Sequence, residues 1–125
     1  MEIHGREIKF KRTVLATCEV ADLSPGGDIN KFDELLLSKQ YAITQRAAAG
    51  FMAALSKGYE MAQAFEDLKY KPRPLTVDEA LCLDNDTFND LFTEALTAWG
   101  VEKPTVETEP VKTKGKNAEG DGESN

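Results

Sequence analysis

The chain has 125 residues, a net charge of −7 and a hydrophobic content of 41%. This length accommodates one domain with a single modest core, and the acidic balance disfavours nucleic-acid partners. No apolar signal-peptide core opens the chain, and the longest helical segment carries too many charges to span a membrane. Two cysteines lie apart among apolar residues, Cys18 and Cys82, so we expect buried thiols in a reducing cytoplasm and no zinc site.

The first twelve residues predict a small β-hairpin. A His4-Gly5 turn separates two segments, and the second alternates between apolar and charged residues as far as Lys11. Because two strands alone are marginally stable, the apolar side chains of the hairpin should lie against helices: Ile3, Ile8 and Phe10. We interpret its basic residues as a solvated face: Arg6, Lys9, Lys11 and Arg12.

Two helices should follow the hairpin. Thr13 can cap a helix from Val14 to about Leu23, with four residues inward: Val14, Leu15, Cys18 and Ala21. A Ser-Pro-Gly-Gly sequence stops this helix, and Asp28 can cap a second one that runs to about Lys39. The second helix has an apolar stripe of Ile29, Phe32, Leu35 and Leu36, with Leu37 off the stripe.

Residues 41–68 predict a central helix of about eight turns, roughly 40 Å long. Its main apolar stripe comprises Ala48, Phe51, Met52, Leu55, Tyr59 and Ala62. The small residues from Ala47 to Gly50 should let another backbone approach closely. Gly58 marks a point at which the helix could bend or divide.

The C-terminal third predicts a stiff connector, two helices and a polar tail. Pro72 and Pro74 stiffen the connector, Thr76 and Glu79 form a capping box for a helix to about Leu83, and Asp86 should cap the last helix. The last helix has a stripe of Phe88, Leu91, Phe92, Ala95, Leu96 and Trp99, and it stops at Gly100. We therefore expect a mainly α (α+β) domain over residues 1–100, with the hairpin packed on about five helices, and a disordered charged tail over 101–125.

No catalytic, cofactor or metal site is predicted. His4 has no nucleophile to pair with, and the acidic stretch at Asp84 lacks the glycine and glutamate of a calcium loop, because Asn89 and Ala95 occupy those positions. The loop at Ser24 lacks the Lys-Ser/Thr of a phosphate-binding loop. Adjacent carboxylates on a helix point about 100° apart, which does not suit paired-acid catalysis. We expect a protein without enzymatic activity.

The sequence contains many large apolar residues for so small a core: Leu37, Tyr41, Ile43, Phe51, Met61, Phe65, Leu68 and Tyr70. Either some remain exposed as an interaction surface or they fill a larger core. If some remain exposed, the candidate contact for self-association or a client is a second face of the central helix, which gathers Ile43, Ala47, Gly50, Met61 and Phe65. The candidate protein-binding residues are Leu37, Tyr41, Ile43, Ala47, Gly50, Met61 and Phe65.

Several short features also occur together in one known family. They are the hairpin from Glu2 to Lys11, the loop from Pro25 to Asp28, Pro74-Leu75-Thr76 with Glu79, the segment from Phe88 to Phe92, and Ala98-Trp99-Gly100 before a charged tail. Over about residues 1–100 this layout resembles the tail assembly chaperones of long-tailed (siphovirus-type) bacteriophages.

The resemblance implies a non-enzymatic chaperone of the host bacterial cytoplasm that is absent from the mature virion. It would bind and solubilise the tape measure protein, give way to the major tail protein, and form homo-oligomers. A longer form made by ribosomal frameshifting is also implied, and Lys114-Gly115-Lys116 can be encoded by a slippery sequence. The alternatives are a tail-completion or head–tail joining protein retained in the virion, and a small enzyme or acyl carrier. Ser24 argues against the acyl carrier because it lies at a helix end.

Overall fold

The computed structural model describes residues 1–101, so the predicted tail and frameshift codons lie outside the described residues. An antiparallel hairpin of β1 (Glu2–Ile3) and β2 (Arg6–Glu7) comes first. The helices that follow in this part of the chain are α1 (Val14–Leu23), α2 (Phe32–Leu36), α3 (Tyr41–Glu66), α4 (Val77–Leu81) and α5 (Asn85–Trp99). Two single turns of 3-10 helix, Pro25–Gly27 and Ile29–Lys31, connect α1 to α2. The predicted mainly α fold class is confirmed.

The hairpin closes through the predicted two-residue turn. His4 and Gly5 have φ values of 52° and 79°, the left-handed pair that a type I′ turn requires. The second strand is shorter than the alternation predicts, because the chain turns away to α3, where the Lys11 N–H donates to the Leu55 carbonyl at 3.1 Å. Ile8 is nevertheless only 3% exposed. Ile3 and Phe10 pack beside it, half-buried, against the core.

Helix α1 lies antiparallel on a face of α3 that is made of small residues. Gly50, Ala54 and Gly58 recur every four residues and so share one face. Leu23 at the end of α1 contacts Gly50, whereas Ala16 near its start contacts Gly58. The closest backbone approach is at Gly58, where a Cβ atom would lie 2.5 Å from the Lys11 carbonyl oxygen, and not at the Ala47–Gly50 patch. Helix α3 continues through Gly58 without a break.

The inward face of α1 was predicted wrongly. Ala16 and Val20 are its buried residues. The predicted set is exposed or only partly buried, with Val14 82% exposed: Val14, Leu15, Cys18 and Ala21. Apolar residues of α1 occur on all sides of the helix, so their periodicity alone does not predict which side is buried. The buried side is the one that packs against the glycines of α3. Cys82 is exposed like Cys18, so the expectation of two buried thiols was also wrong.

Several helix ends differ from those predicted. Helix α2 ends at Leu36 because the next residues form a turn, in which Ser38 Oγ accepts the Gln40 N–H at 3.1 Å. Helix α4 begins with the expected Thr76–Glu79 capping box but ends at Leu81. Asp84, and not Asp86, caps α5 by accepting the Thr87 N–H at 2.9 Å.

Phe51 links three helices at the centre of the core. Its ring centroid lies 5.5 Å from that of Phe32 on α2, and 5.9 Å and 5.3 Å from those of Phe92 and Trp99 on α5. Phe51 therefore belongs to the core and does not contribute to a surplus of exposed apolar residues. The predicted stripe of α5 is confirmed, with Phe88, Leu91 and Ala95 buried.

Two of the four basic residues predicted to form a solvated face also anchor the N-terminal segment to the helices, whereas Lys9 and Lys11 are exposed as predicted. Arg6 forms an ion pair with Glu79 on α4 at 3.0 Å. The Arg12 guanidinium lies 3.8 Å from the Trp99 ring centroid and donates to the Trp99 carbonyl at 2.8 Å. A cation at the carbonyl end of α5 is also favoured by the helix dipole.

Replacing Gly58 with alanine is expected to destabilise the protein by about 1–3 kcal/mol, because the new Cβ overlaps backbone and side-chain atoms of residues 11–16. This loss should exceed the gain of about 1 kcal/mol that alanine normally brings to a helix interior. The measurement is the free energy of unfolding in denaturant.

Gly50→Ala is the matched control. Its Cβ would meet the Leu23 Cδ1 atom at 2.8 Å, the mobile end of a side chain that is itself 42% exposed. We expect Gly50→Ala to stay within about 1 kcal/mol of the parent protein, because helix propensity offsets the small rearrangement. Equal stability of the two variants would contradict the close packing at Gly58.

Candidate protein-interaction surface

Residues 1–101 contain no cluster of three or more side chains suited to holding a metal ion. Over the same residues, no helix combines the length and the apolar character that crossing a bilayer demands. His4, the single histidine, is exposed on the hairpin turn. The candidate functional feature of this chain is its set of exposed apolar side chains.

Eight of these side chains lie towards the two ends of α3, and four lie elsewhere: Leu23, Val77, Leu81 and Val101. The N-terminal apolar cluster consists of Leu37, Tyr41 and Ile43, of which Leu37 is 81% and Tyr41 70% exposed. The C-terminal apolar cluster consists of Val14, Leu15, Met61, Phe65 and Leu68, all of them exposed. The two are separated by about 30 Å along α3, at 1.5 Å per residue.

An ion pair between α1 and α3 lies near the C-terminal cluster. Lys57 Nζ is 3.3 Å from Glu19 Oε2, and both side chains are partly exposed. Side chains four residues apart share a helix face, so Leu15 and Met61 lie on the same faces of their helices as Glu19 and Lys57.

Phe65 extends the α3 row by another turn, and Leu68 follows just after the end of the helix. These two side chains are 89% and 96% exposed. Thr13, the N-cap of α1, lies at Gly58. The last two turns of α3 therefore extend past the start of α1, which leaves Phe65 uncovered.

Two of the predicted binding residues are inaccessible. Ala47 and Gly50 are buried, because the face that we assigned to partners is the face on which α1 packs. The other five predicted residues are exposed: Leu37, Tyr41, Ile43, Met61 and Phe65. Val14 and Leu15 were assigned to the core, and Leu68 was counted among the surplus but not selected.

A buried polar network holds the chain that follows the C-terminal cluster. Glu60 is 7% exposed, and its Oε1 atom accepts the Tyr70 hydroxyl at 2.7 Å and the Arg73 N–H at 2.9 Å. Ser56 Oγ accepts the Leu75 N–H at 2.8 Å. These bonds fasten the connector to α3, so Leu68 is displayed between two fixed points. Sequence reasoning missed Glu60, because a lone carboxylate in a helix gives no signal of burial.

Comparisons of this chain with protein-family models, curated protein sequences and solved structures find no match. No family is therefore assigned to it.

The Tyr70–Glu60 contact predicts an alkaline transition. The hydrogen bond to Glu60 raises the pKa of Tyr70 from 10 to about 12. Because the bond needs the neutral phenol, its contribution to stability is fully present below pH 10 and is lost as the pH rises through about 12. Phenolate absorbance measures this titration in a variant with Tyr41 and Tyr59 replaced by Phe, so that Tyr70 alone absorbs.

Glu60→Gln provides the control. The amide oxygen can still accept both hydrogen bonds, but the negative charge is gone. The pKa of Tyr70 should fall back towards 10, whereas an unchanged titration would contradict the role of the Glu60 carboxylate.

Proposed function

We propose that the chain is a tail assembly chaperone of a long-tailed bacteriophage, which binds the tape measure protein and keeps it soluble while the tail tube assembles. The C-terminal apolar cluster carries this proposal. A client that is long, helical and apolar needs a partner that offers exposed apolar side chains on a rigid support, without catalytic groups. The identity of the client is inferred from the resemblance of the hairpin, loop and final-helix motifs to those of tail assembly chaperones.

The shape of the cluster suits a helical client. Leu15 is exposed in the first turn of α1, Met61 is exposed on the neighbouring α3, and Phe65 continues the α3 row at a spacing of four residues. An amphipathic helix presents its own apolar side chains at three- and four-residue spacing, which matches such a row. The acidic net charge of −7 would keep a complex with an apolar client in solution.

The strength of such a contact suits transient binding. Burying a large apolar side chain contributes about 1.5–3 kcal/mol, so Phe65 and Leu68 together contribute about 3–6 kcal/mol. Association costs of about 4 kcal/mol or more offset most of this gain. One copy would therefore bind weakly, many copies along one client would bind well, and the major tail protein could displace them one by one.

Binding of many copies would be helped by contacts between them. The N-terminal apolar cluster supports this role, because it lies about 30 Å from the client surface and can engage a neighbour without competing for the client. Under this proposal the chain acts as a homo-oligomer in the host cytoplasm and is absent from the finished particle. A longer frameshifted form would share the same surfaces.

Co-expression with the tape measure protein of the same phage tests the proposal. The chain should increase the soluble fraction of the tape measure protein severalfold. Phe65→Ser combined with Leu68→Ser should abolish this effect while changing the free energy of unfolding by less than about 0.5 kcal/mol for each substitution, because both side chains are exposed.

Val77→Ser combined with Val101→Ser is the matched control, since both residues are exposed apolar positions outside the two apolar clusters. It should leave client solubility unchanged. An equal loss of soluble tape measure protein with the two double variants would contradict a specific client-binding surface. Mass spectrometry of purified virions separates the alternative role, because detection of the chain there would indicate a tail-completion or head–tail joining protein.

A further inference from the structure

A groove beneath the hairpin turn contains no residue of either apolar cluster. It consists of two adjoining cavities of about 340 and 430 Å³, which share Ile3, His4, Cys82 and Leu83. The hairpin forms one wall, and α4 with the start of α5 forms the other. An elongated groove with two lobes suits an extended chain better than a compact small molecule.

The first cavity has an aliphatic floor on a rigid frame. Ile8 and Leu75 are almost fully buried there, with Ile3 and Leu83 beside them. The Leu75 N–H bond to Ser56 fixes one wall. The ion pair between Arg6 and Glu79 fixes the other. A cavity of about 340 Å³ with such a floor has room for a large apolar side chain without rearrangement of the backbone.

The rim of this cavity carries a cation. Glu79 neutralises Arg6, whose Nη2 atom also donates to the Arg73 carbonyl at 2.6 Å. Arg73 also lines the cavity, and its side chain forms no ion pair with any residue of the described range 1–101. The second cavity has the opposite character, because Glu2 and Asp84 line it. The first cavity is therefore the positively charged end of the groove, although the protein as a whole is acidic.

We propose that this groove binds an extended peptide segment of a partner protein, with a large aliphatic side chain in the first cavity and an adjacent carboxylate paired with Arg73. The aliphatic floor selects the first group, and charge complementarity selects the second. The cation is close to backbone that is already held by Glu60, so binding requires little reorganisation. The site is separate from the client surface and does not depend on the chaperone function.

Two exposed cysteines provide the assay. Cys82 lines both cavities, whereas Cys18 lies on α1 and lines neither. The probe is the peptide acetyl-Gly-Ser-Leu-Glu-Ser-Gly-amide, added to the full chain during alkylation by iodoacetamide. At about four times its dissociation constant it should slow alkylation of Cys82 about fivefold by mass action and leave Cys18 unchanged. Replacing Leu by Ser in the peptide should abolish protection, and replacing Glu by Gln should weaken it severalfold.

Arg73→Gln tests the cation. Its backbone N–H and carbonyl keep their bonds to Glu60 and Arg6, so the groove should persist. In this variant the Glu and Gln peptides should protect Cys82 equally, with dependence on Leu retained. Arg46→Gln, the same substitution at an exposed position of α3, should preserve the preference for Glu.

Three results would overturn the proposal. The first is no protection of Cys82 at any peptide concentration, and the second is equal protection of both cysteines. The third is a Cys82 that already reacts about tenfold more slowly than Cys18 without peptide, since the chain itself would then fill the groove. None of these results bears on client solubility, so the chaperone function is tested separately.

Discussion

The close contact between residues 11–16 and Gly58 governs how the chain is assembled. Because α3 has no side chain at Gly58, the Lys11 carbonyl and Ala16 can lie directly on its backbone. The same approach allows the Lys11 N–H to reach the Leu55 carbonyl, which ties the segment after the hairpin to the central helix. The segment after the hairpin, α1 and α3 therefore meet at this point, and Arg6 and Arg12 connect the N-terminal segment to α4 and α5.

This packing also determines which surfaces remain for partners. Helix α1 occupies the small-residue face between Gly50 and Gly58, so the middle of α3 is covered from within the chain. Only the ends of α3 retain exposed large apolar residues. The C-terminal end gains further apolar surface from Val14 and Leu15, which are exposed because α1 packs on α3 through Ala16 and Val20. A tight internal contact and an exposed apolar cluster are consequences of the same arrangement.

Most helices and turns of this fold were predicted from the sequence, but which face of each helix is buried was not. Helix existence, the I′ turn at His4, the capping box at Thr76 and the stripe of α5 follow from local chemistry, which neighbouring residues largely decide. The buried face of α1 could not be predicted from the sequence, because its apolar residues point in all directions. Which face is buried depends on packing against Gly58, more than thirty residues away. Exposure at Phe65 and burial at Ala47 are likewise set by where α1 begins and ends. Burial of Glu60 depends on a connector that returns to it from residues 70–73.

Hydrogen–deuterium exchange of the full chain, with and without the tape measure protein, tests the central claim most directly. That claim is that partners use the ends of α3 while α1 stays on its middle. Client binding should add protection in residues 61–70 and in the first turn of α1, and should leave residues 47–58 unchanged, because their amides are already buried. A change centred on residues 47–58 would contradict the account, since α1 would then have to leave Gly50 and Gly58 to expose the small-residue face.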